Sequence, residues 1–269
     1  MRERQHSFWS GVLNRGFRRY VRRFVRANFN AVRVSGHESL RGLENRSVLM
    51  FVNHPGWWDP MTAVLMTQLF FPGKRFAAPM DAEALRSYPV LESLGFFGIS
   101  RESVSGVRDL LRIGRELMRD GDVILWITPG GQFHDVRREV PFLPGLSHLA
   151  DREFSGVLIP MAMEYTFWNE RRPELLVRFG PQVECVALPE DREARTRVLQ
   201  GLLGTVQEQL AAAAIARSSA GFETVLQGRG GIGGLYDLWR WLVAKVRGKE
   251  FRSRHERPSE NEDLADQRG

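Results

Sequence analysis

A single cysteine, Cys185, stands among 269 residues. That excludes an intrachain disulfide framework and a cysteine-based metal cluster, and it suits a reducing compartment. Long apolar runs are missing too. The best of them, "VLMFV" at 48–52 and "GVLIPMAM" at 156–163, are strand-sized, well short of the roughly 18 uninterrupted apolar residues of a membrane-crossing helix. The N-terminus lacks the pattern of a cleaved export signal, because arginines interrupt its apolar positions and no small-residue cleavage site follows. No H-E-x-x-H or comparable metal spacing occurs, so no metal site is expected. The nearest approach to a G-x-S-x-G nucleophile elbow, "GLSHL" at 145–149, lacks the final glycine, which disfavours a covalent serine hydrolase.

Acidic residues are in the minority, 32 against 38 lysines and arginines, for a formal net charge of +6. This balance favours an anionic partner, whether nucleic acid, a phospholipid surface or a phosphorylated substrate, and its sign alone does not choose among them. Hydrophobic residues make up 43% and charged residues 26%. Those fractions describe an ordinary globular chain able to bury a full core, read as one large domain with appendages.

The first appendage is residues 1–30. Phe8, Trp9, Val12, Leu13, Phe17, Tyr20, Val21, Phe24 and Val25 recur at three- and four-residue steps, while Arg15, Arg18, Arg19, Arg22, Arg23 and Arg26 fill much of the remaining circumference. Two readings stay open. One is a helix lying in a membrane interface, aromatics in the acyl boundary and arginines on anionic headgroups. The other is a helix packed on its own domain with a solvated basic side. The arginines fall on an aromatic amphipathic helix and no nucleic-acid-binding motif accompanies them, so nucleic acid is not expected as a partner.

Residues 31–227 alternate strands and helices. "AVRVSG", "SVLMFVN", "RFAAP", "DVILWIT", "GVLIPMAMEY" and "ELLVRFG" read as strands. "PMTAVLMTQLFF", "SVSGVRDLLRIGRELMRDG" up to Gly121, and residues 190–216 read as helices. Strands this apolar should be buried on both faces, which predicts an α/β domain with a mixed, largely buried sheet flanked by helices. Residues 228–252 open on the break "GRGGIGG" and carry a second amphipathic segment, and residues 253–269 are charged, poor in apolar side chains and expected to be disordered.

Chemistry concentrates in "FVNHPGWWDP" at 51–60. Pro55 restricts His54 to an extended conformation and ends the strand, while Asp59 before Pro60 has the order of an N-cap and a first helical residue. A strand, a tight turn and a helix start thus bring the two side chains together. The carboxylate can then hold one imidazole nitrogen and leave the other free to take a proton, which makes His54 a general base. The plainer alternative is that Asp59 only caps its helix and His54 is a hydrogen-bonded turn residue.

"NHPGWWD" resembles the N-H-x4-D block of the glycerolipid acyltransferases, the group that includes lysophosphatidate acyltransferase. "GFFGISR" at 95–101 is similar to the family's G-x-x-F-I-x-R block, "TPGGQF" at 128–133 sits where its F-P-E-G-T-R block belongs, and "VLIPMAM" at 157–163 resembles its apolar proline-containing fourth block. The four run in the family's order. The resemblance implies acyl transfer without an acyl-enzyme, from acyl-CoA or acyl carrier protein as donor substrate to a hydroxyl of a lipid acceptor, with no cofactor. It gives His54 the base role and Asp59 the orienting role. Arg101 would meet a phosphate, and Pro129, Gly130 and Gly131 would shape the acceptor wall. Asn53, Ser100 and Gln132, in the same blocks, join the candidate substrate-binding residues. The family carries an N-terminal helical membrane motif, so a peripheral location on the cytoplasmic face of a membrane is expected.

The third block departs from the family. Gly130 stands where the family has glutamate, Gln132 where it has threonine and Phe133 where it has arginine. An intact base pair beside a degraded third block suggests a working acyltransferase with an altered acceptor, a glycosylated lipid or a lipid alcohol as well as a lysophospholipid. His134, Asp135 and Arg137 follow, either as replacement polar contacts or as a solvated loop. The alternative function is a catalytically inactive peripheral lipid-binding module of the same fold.

Overall fold

Strand β2 (Val48–Val52) shows why this sheet is central: all five of its residues are buried. Val48, Met50 and Val52 join one apolar cluster, and Leu49 and Phe51 join another. Side chains that alternate across a strand need cover on both faces when every one is apolar. The computed structural model, which describes residues 16–100, 103–154 and 156–228, provides that cover as two helical layers.

The described residues build one nine-stranded sheet in the order β4-β3-β5-β2-β6-β7-β1-β9, with β8 paired to β6. The strands are β1 (Ala31–Ser35), β3 (Arg75–Asp81), β4 (Phe96–Ile99), β5 (Val123–Ile127), β6 (Val157–Thr166), β7 (Glu174–Phe179), β8 (Val183–Glu184) and β9 (Glu223–Gln227). The β4, β3, β5, β2 and β6 pairings are parallel; β6 with β7, β6 with β8 and β1 with β9 are antiparallel. The sheet is mixed, as expected. Pro160 lies inside β6, where a missing N–H would ordinarily break a ladder. It falls where the antiparallel partner of β6 changes from β8, at Val157 and Leu158, to β7, from Met161 onward.

On one face lie α1 (residues 16–28), α2 (Asp59–Phe70) and α3 (Ala82–Ser87), contributing Val21, Val25, Ala63, Leu65, Met66 and Leu85 to the first cluster. The other face carries α4 (Val104–Leu117), α5 (Gly145–Leu149) and α6 (Arg192–Ala216), with Leu110, Leu146, Leu149, Leu199 and Leu203 in the second. Within α1, Val21 and Val25 are fully packed while Arg19, Arg22, Arg23 and Arg26 are exposed. The described part of this helix thus packs on the domain with a solvated basic side. Residues 1–15, the amphipathic segment at 228–252 beyond Gly228, and the tail 253–269 lie outside the described residues.

Five elements, α3, α5, β4, the two-residue β8 and β9, go beyond the strand and helix series read from the sequence. α3 and α5 are short helices of 6 and 5 residues, too brief for a 3.6-residue period to register. β4 has only 4 residues, within the second family-like block. β9 follows α6, pairing antiparallel with β1. Its pattern is mostly exposed, as befits an edge strand.

Candidate active site

His54 sits just past the last residue of β2, and Asp59 is the first residue of α2. His54 Nδ1 lies 2.5 Å from Asp59 Oδ2. The same oxygen accepts the Gly56 N–H at 3.2 Å across the turn. The imidazole is 17% exposed and the carboxylate 5%, so the pair is shielded while the imidazole keeps a path outward. Among the described residues nothing bonds Nε2, and a carboxylate on Nδ1 leaves that nitrogen as the proton acceptor.

One detail corrects the sequence reading. Trp58, not Asp59, is the N-cap of α2, and it makes no side-chain cap bond; Pro60 falls at the second helical position rather than the first. The Asp59 carboxylate faces His54 instead of the amides of its own first turn. Its second oxygen, Oδ1, accepts the hydroxyl of Tyr165 at 2.7 Å. Tyr165 also lies 3.0 Å from Thr62 Oγ1, and burial, reinforced by the neighbouring Asp59 charge, holds its phenol well above the ordinary tyrosine range. Neither Tyr165 nor Thr62 carries a motif signal in the sequence.

Asn53 is buried and both ends of its amide are taken. Nδ2 donates to Met163 O at 2.9 Å and Oδ1 accepts from Met163 N at 2.8 Å. It clamps the end of β2 to β6 and fixes the point from which His54 projects, rather than lining a cavity.

Two cavities share a wall at the site. The smaller, about 110 Å³, is lined by His54, Asp59, Ala78, Phe96 and Met163 among others. The larger, about 300 Å³, runs between β4, α4 and the third-block loop, and is lined by Ser100, Val107, Leu110, Pro129, Gly131 and Leu143 among others. Pro79, Met80 and Thr128 border both. Ser100, Pro129 and Gly131 line the larger cavity, while Gly130, Gln132 and Asn53 line neither. Arg101 lies outside the described residues.

The third block folds over His54. "TPGG" makes a turn in which Gly131 N donates to Thr128 O at 3.0 Å, with Gly131 at φ 67°, a left-handed conformation that glycine adopts without strain. At Gly130, a Cβ would come 2.6 Å from Val140 Cγ1. The chain's own return segment thus leaves no room there for the glutamate of the resembled family unless Val140 shifts. His134 N donates to His54 O at 3.0 Å, and the exposed Phe133 ring lies against the imidazole.

Of the polar residues that follow, Asp135 and Arg137 are engaged within the fold. Arg137 donates to Glu164 at 2.7 Å, and burial raises the Glu164 carboxyl above its usual range against the pull of Arg137. Asp135 accepts from the Arg137 amide, and Gln207 on α6 donates to Val136 O. These bonds strap the loop to β6 and α6. Among the described residues no group of three or more His, Cys, Asp or Glu side chains is placed to hold a metal ion.

Residues 31–164 match the model of the family described as Acyltransferase. No curated protein matches the chain. Seven chains of known structure match it. Among them is the crystal structure of PlsC, the 1-acyl-sn-glycerophosphate (LPA) acyltransferase from Thermotoga maritima, with 14% identity and a TM-score of 0.50 over 77% of this chain and 83% of that one. At that identity the likeness is one of fold.

Proposed function

Because residues 31–164 place this chain in the acyltransferase family, we propose that it moves a fatty acyl group from a thioester donor, acyl-CoA or acyl carrier protein, to a hydroxyl of a lipid acceptor. The observation that carries this reading is the 2.5 Å approach of Asp59 to His54 Nδ1 at the wall of a cavity. In the first step Nε2 of His54 takes the proton of the acceptor hydroxyl as its oxygen attacks the thioester carbonyl. The tetrahedral adduct then collapses, the C–S bond breaks, and the proton on His54 passes to the departing thiolate. Asp59 stabilises the imidazolium between the two events.

The larger cavity supports a place for the acyl chain. Ile99, Val107, Leu110, Ile127, Leu143 and Leu146 give it an apolar lining, and it borders the smaller cavity of the base. An alkyl chain withdrawn there gains about 0.8 kcal/mol per buried methylene. Phe133 in place of a guanidinium beside His54 favours an acceptor whose group next to the attacking hydroxyl is neutral, as in a glycosylated lipid or a lipid alcohol.

No helix among the described residues is long and apolar enough to cross a membrane. The exposed arginines of α1, with Tyr20 and Trp57 also exposed, fit peripheral attachment to an anionic surface, which we place at the cytoplasmic face.

Acyl release tests the reading. The full chain is incubated with long-chain acyl-CoA, or with acyl carrier protein loaded with the same chain, together with a panel of lipid hydroxyl acceptors, and free thiol is followed. His54→Ala should lower turnover by about a hundredfold or more, the contribution of a general base. Equal thiol release by the two proteins would overturn the assignment.

A further inference from the structure

Both oxygens of the Asp59 carboxylate are occupied, by different partners. Oδ2 faces His54 Nδ1 and the Gly56 amide, and Oδ1 faces Tyr165 Oη. An ionised carboxylate has no hydrogen to give, so the bond at Oδ1 uses the single hydrogen of the phenol. The phenol's other possible acceptor, the Met163 sulfur at 3.4 Å, is farther than Asp59 Oδ1 at 2.7 Å, so the Tyr165 oxygen is an acceptor for Thr62 Oγ1, at 3.0 Å. Thr62 has one hydrogen too, and its alternative acceptor, Trp58 O, is farther away at 3.3 Å. Proton counting therefore orders the bonds in one direction, Thr62 to Tyr165 to Asp59.

This order matters because of where Asp59 sits. A carboxylate at the first residue of a helix lies near amides without intrahelical partners, toward which a negative charge is drawn. Here the phenol takes Oδ1 and holds the plane of the carboxylate so that Oδ2 meets the imidazole. Tyr165 is itself fixed on β6, opposite Leu175 of β7, with its ring 5.7 Å from that of Phe29. The position of the carboxylate is thereby referred to the sheet and not to the mobile end of one side chain.

We propose that Tyr165, supported by Thr62, is a positioning residue that sets the Asp59 carboxylate for His54. The His-Asp pair is then the exposed end of a four-residue chain of hydrogen bonds. The role rests on His54 being the base. The neutral, donating form it requires agrees with the upward displacement of the phenol.

The test separates geometry from activity, on the full chain. In proton NMR, the hydrogen bridging His54 Nδ1 and Asp59 gives a far-downfield signal, assigned by its loss in Asp59→Asn. Tyr165→Phe should abolish or displace that signal while the remaining amide spectrum is kept; an unmoved signal overturns the proposal. In thiol release, Tyr165→Phe should lower kcat about tenfold, as for loss of one charge-assisted hydrogen bond, with the donor KM within about twofold. Combined with Asp59→Asn it should cost nothing further. The same loss in both backgrounds would mean a merely structural tyrosine and would overturn the proposal. Should Tyr165→Phe fail to fold, Thr62→Val carries the NMR comparison, with a smaller displacement expected and none overturning it. If His54→Ala releases thiol as fast as wild type, the acyl-transfer reading fails, and the NMR result still decides the role of Tyr165.

Discussion

The ring of Phe133 lies 4.5 Å, centroid to centroid, from the imidazole of His54, tilted by 59°. These residues come from different blocks of the sequence, and the backbone bond from His134 N to His54 O holds them together. An exposed apolar ring thus stands beside the His54 imidazole, at a position where the resembled family has a cation. In the proposed reaction, the acceptor would meet this ring as it approaches Nε2.

Phe133→Arg should therefore change acceptor preference. With a guanidinium beside His54, thiol release in the presence of a phosphate-bearing lysolipid should rise several-fold relative to release with a neutral glycosylated lipid. The ratio of the two rates is the measurement. A ratio unchanged from wild type would separate Phe133 from acceptor choice.

The larger cavity makes a second expectation concrete. Val107 on α4 lines it. Val107→Trp should fill part of the space and move donor preference toward shorter acyl chains, read as kcat/KM across an acyl-CoA series. The thermal midpoint reports separately on overpacking, which costs about 1–3 kcal/mol in a tight site. A series that loses activity equally at every length would place the acyl chain elsewhere.

A pH effect on stability follows from His148 on α5. Burial is the largest cause lowering its imidazole below the ordinary value, and Arg192, Arg115 and Arg195 add to it against a smaller opposing pull from Asp151. Arg192 also donates to its Nε2 at 3.2 Å. A histidine that resists its proton when folded favours the native state above its unfolded value of about 6.5. That contribution is lost as pH falls through the lower folded value, because the unfolded chain then binds more protons. Denaturant midpoints at pH 5.5 and 7.5 should differ less in His148→Gln than in wild type. An equal difference would remove His148 as a source of the slope.

What the sequence settled is local. The apolar runs at 48–52, 123–127 and 157–163 were legible as buried strands because side-chain alternation and flanking breakers act within a few residues. The turn joining His54 to Asp59 was legible for the same reason, since Pro55 and Pro60 restrict the backbone beside each. The short elements α3, α5 and β4 lacked the length to show a period, and β9 owes its existence to the open edge of β1.

The site was legible only in part. The His54–Asp59 pair lies within one turn of chain, whereas Tyr165 stands 106 residues from the carboxylate it bonds, and Phe133 reaches His54 only because the third-block loop folds back. Asp59 shows the division most clearly. Its place at the start of a helix follows from its neighbours, and the choice of His54 and Tyr165 over the helix's own amides does not. Backbone stereochemistry and propensity operate over a few residues and can be read in order along the chain. Which distant side chain fills a hydrogen-bonding position is decided by packing of the whole sheet and its two helical layers, which only the tertiary structure displays.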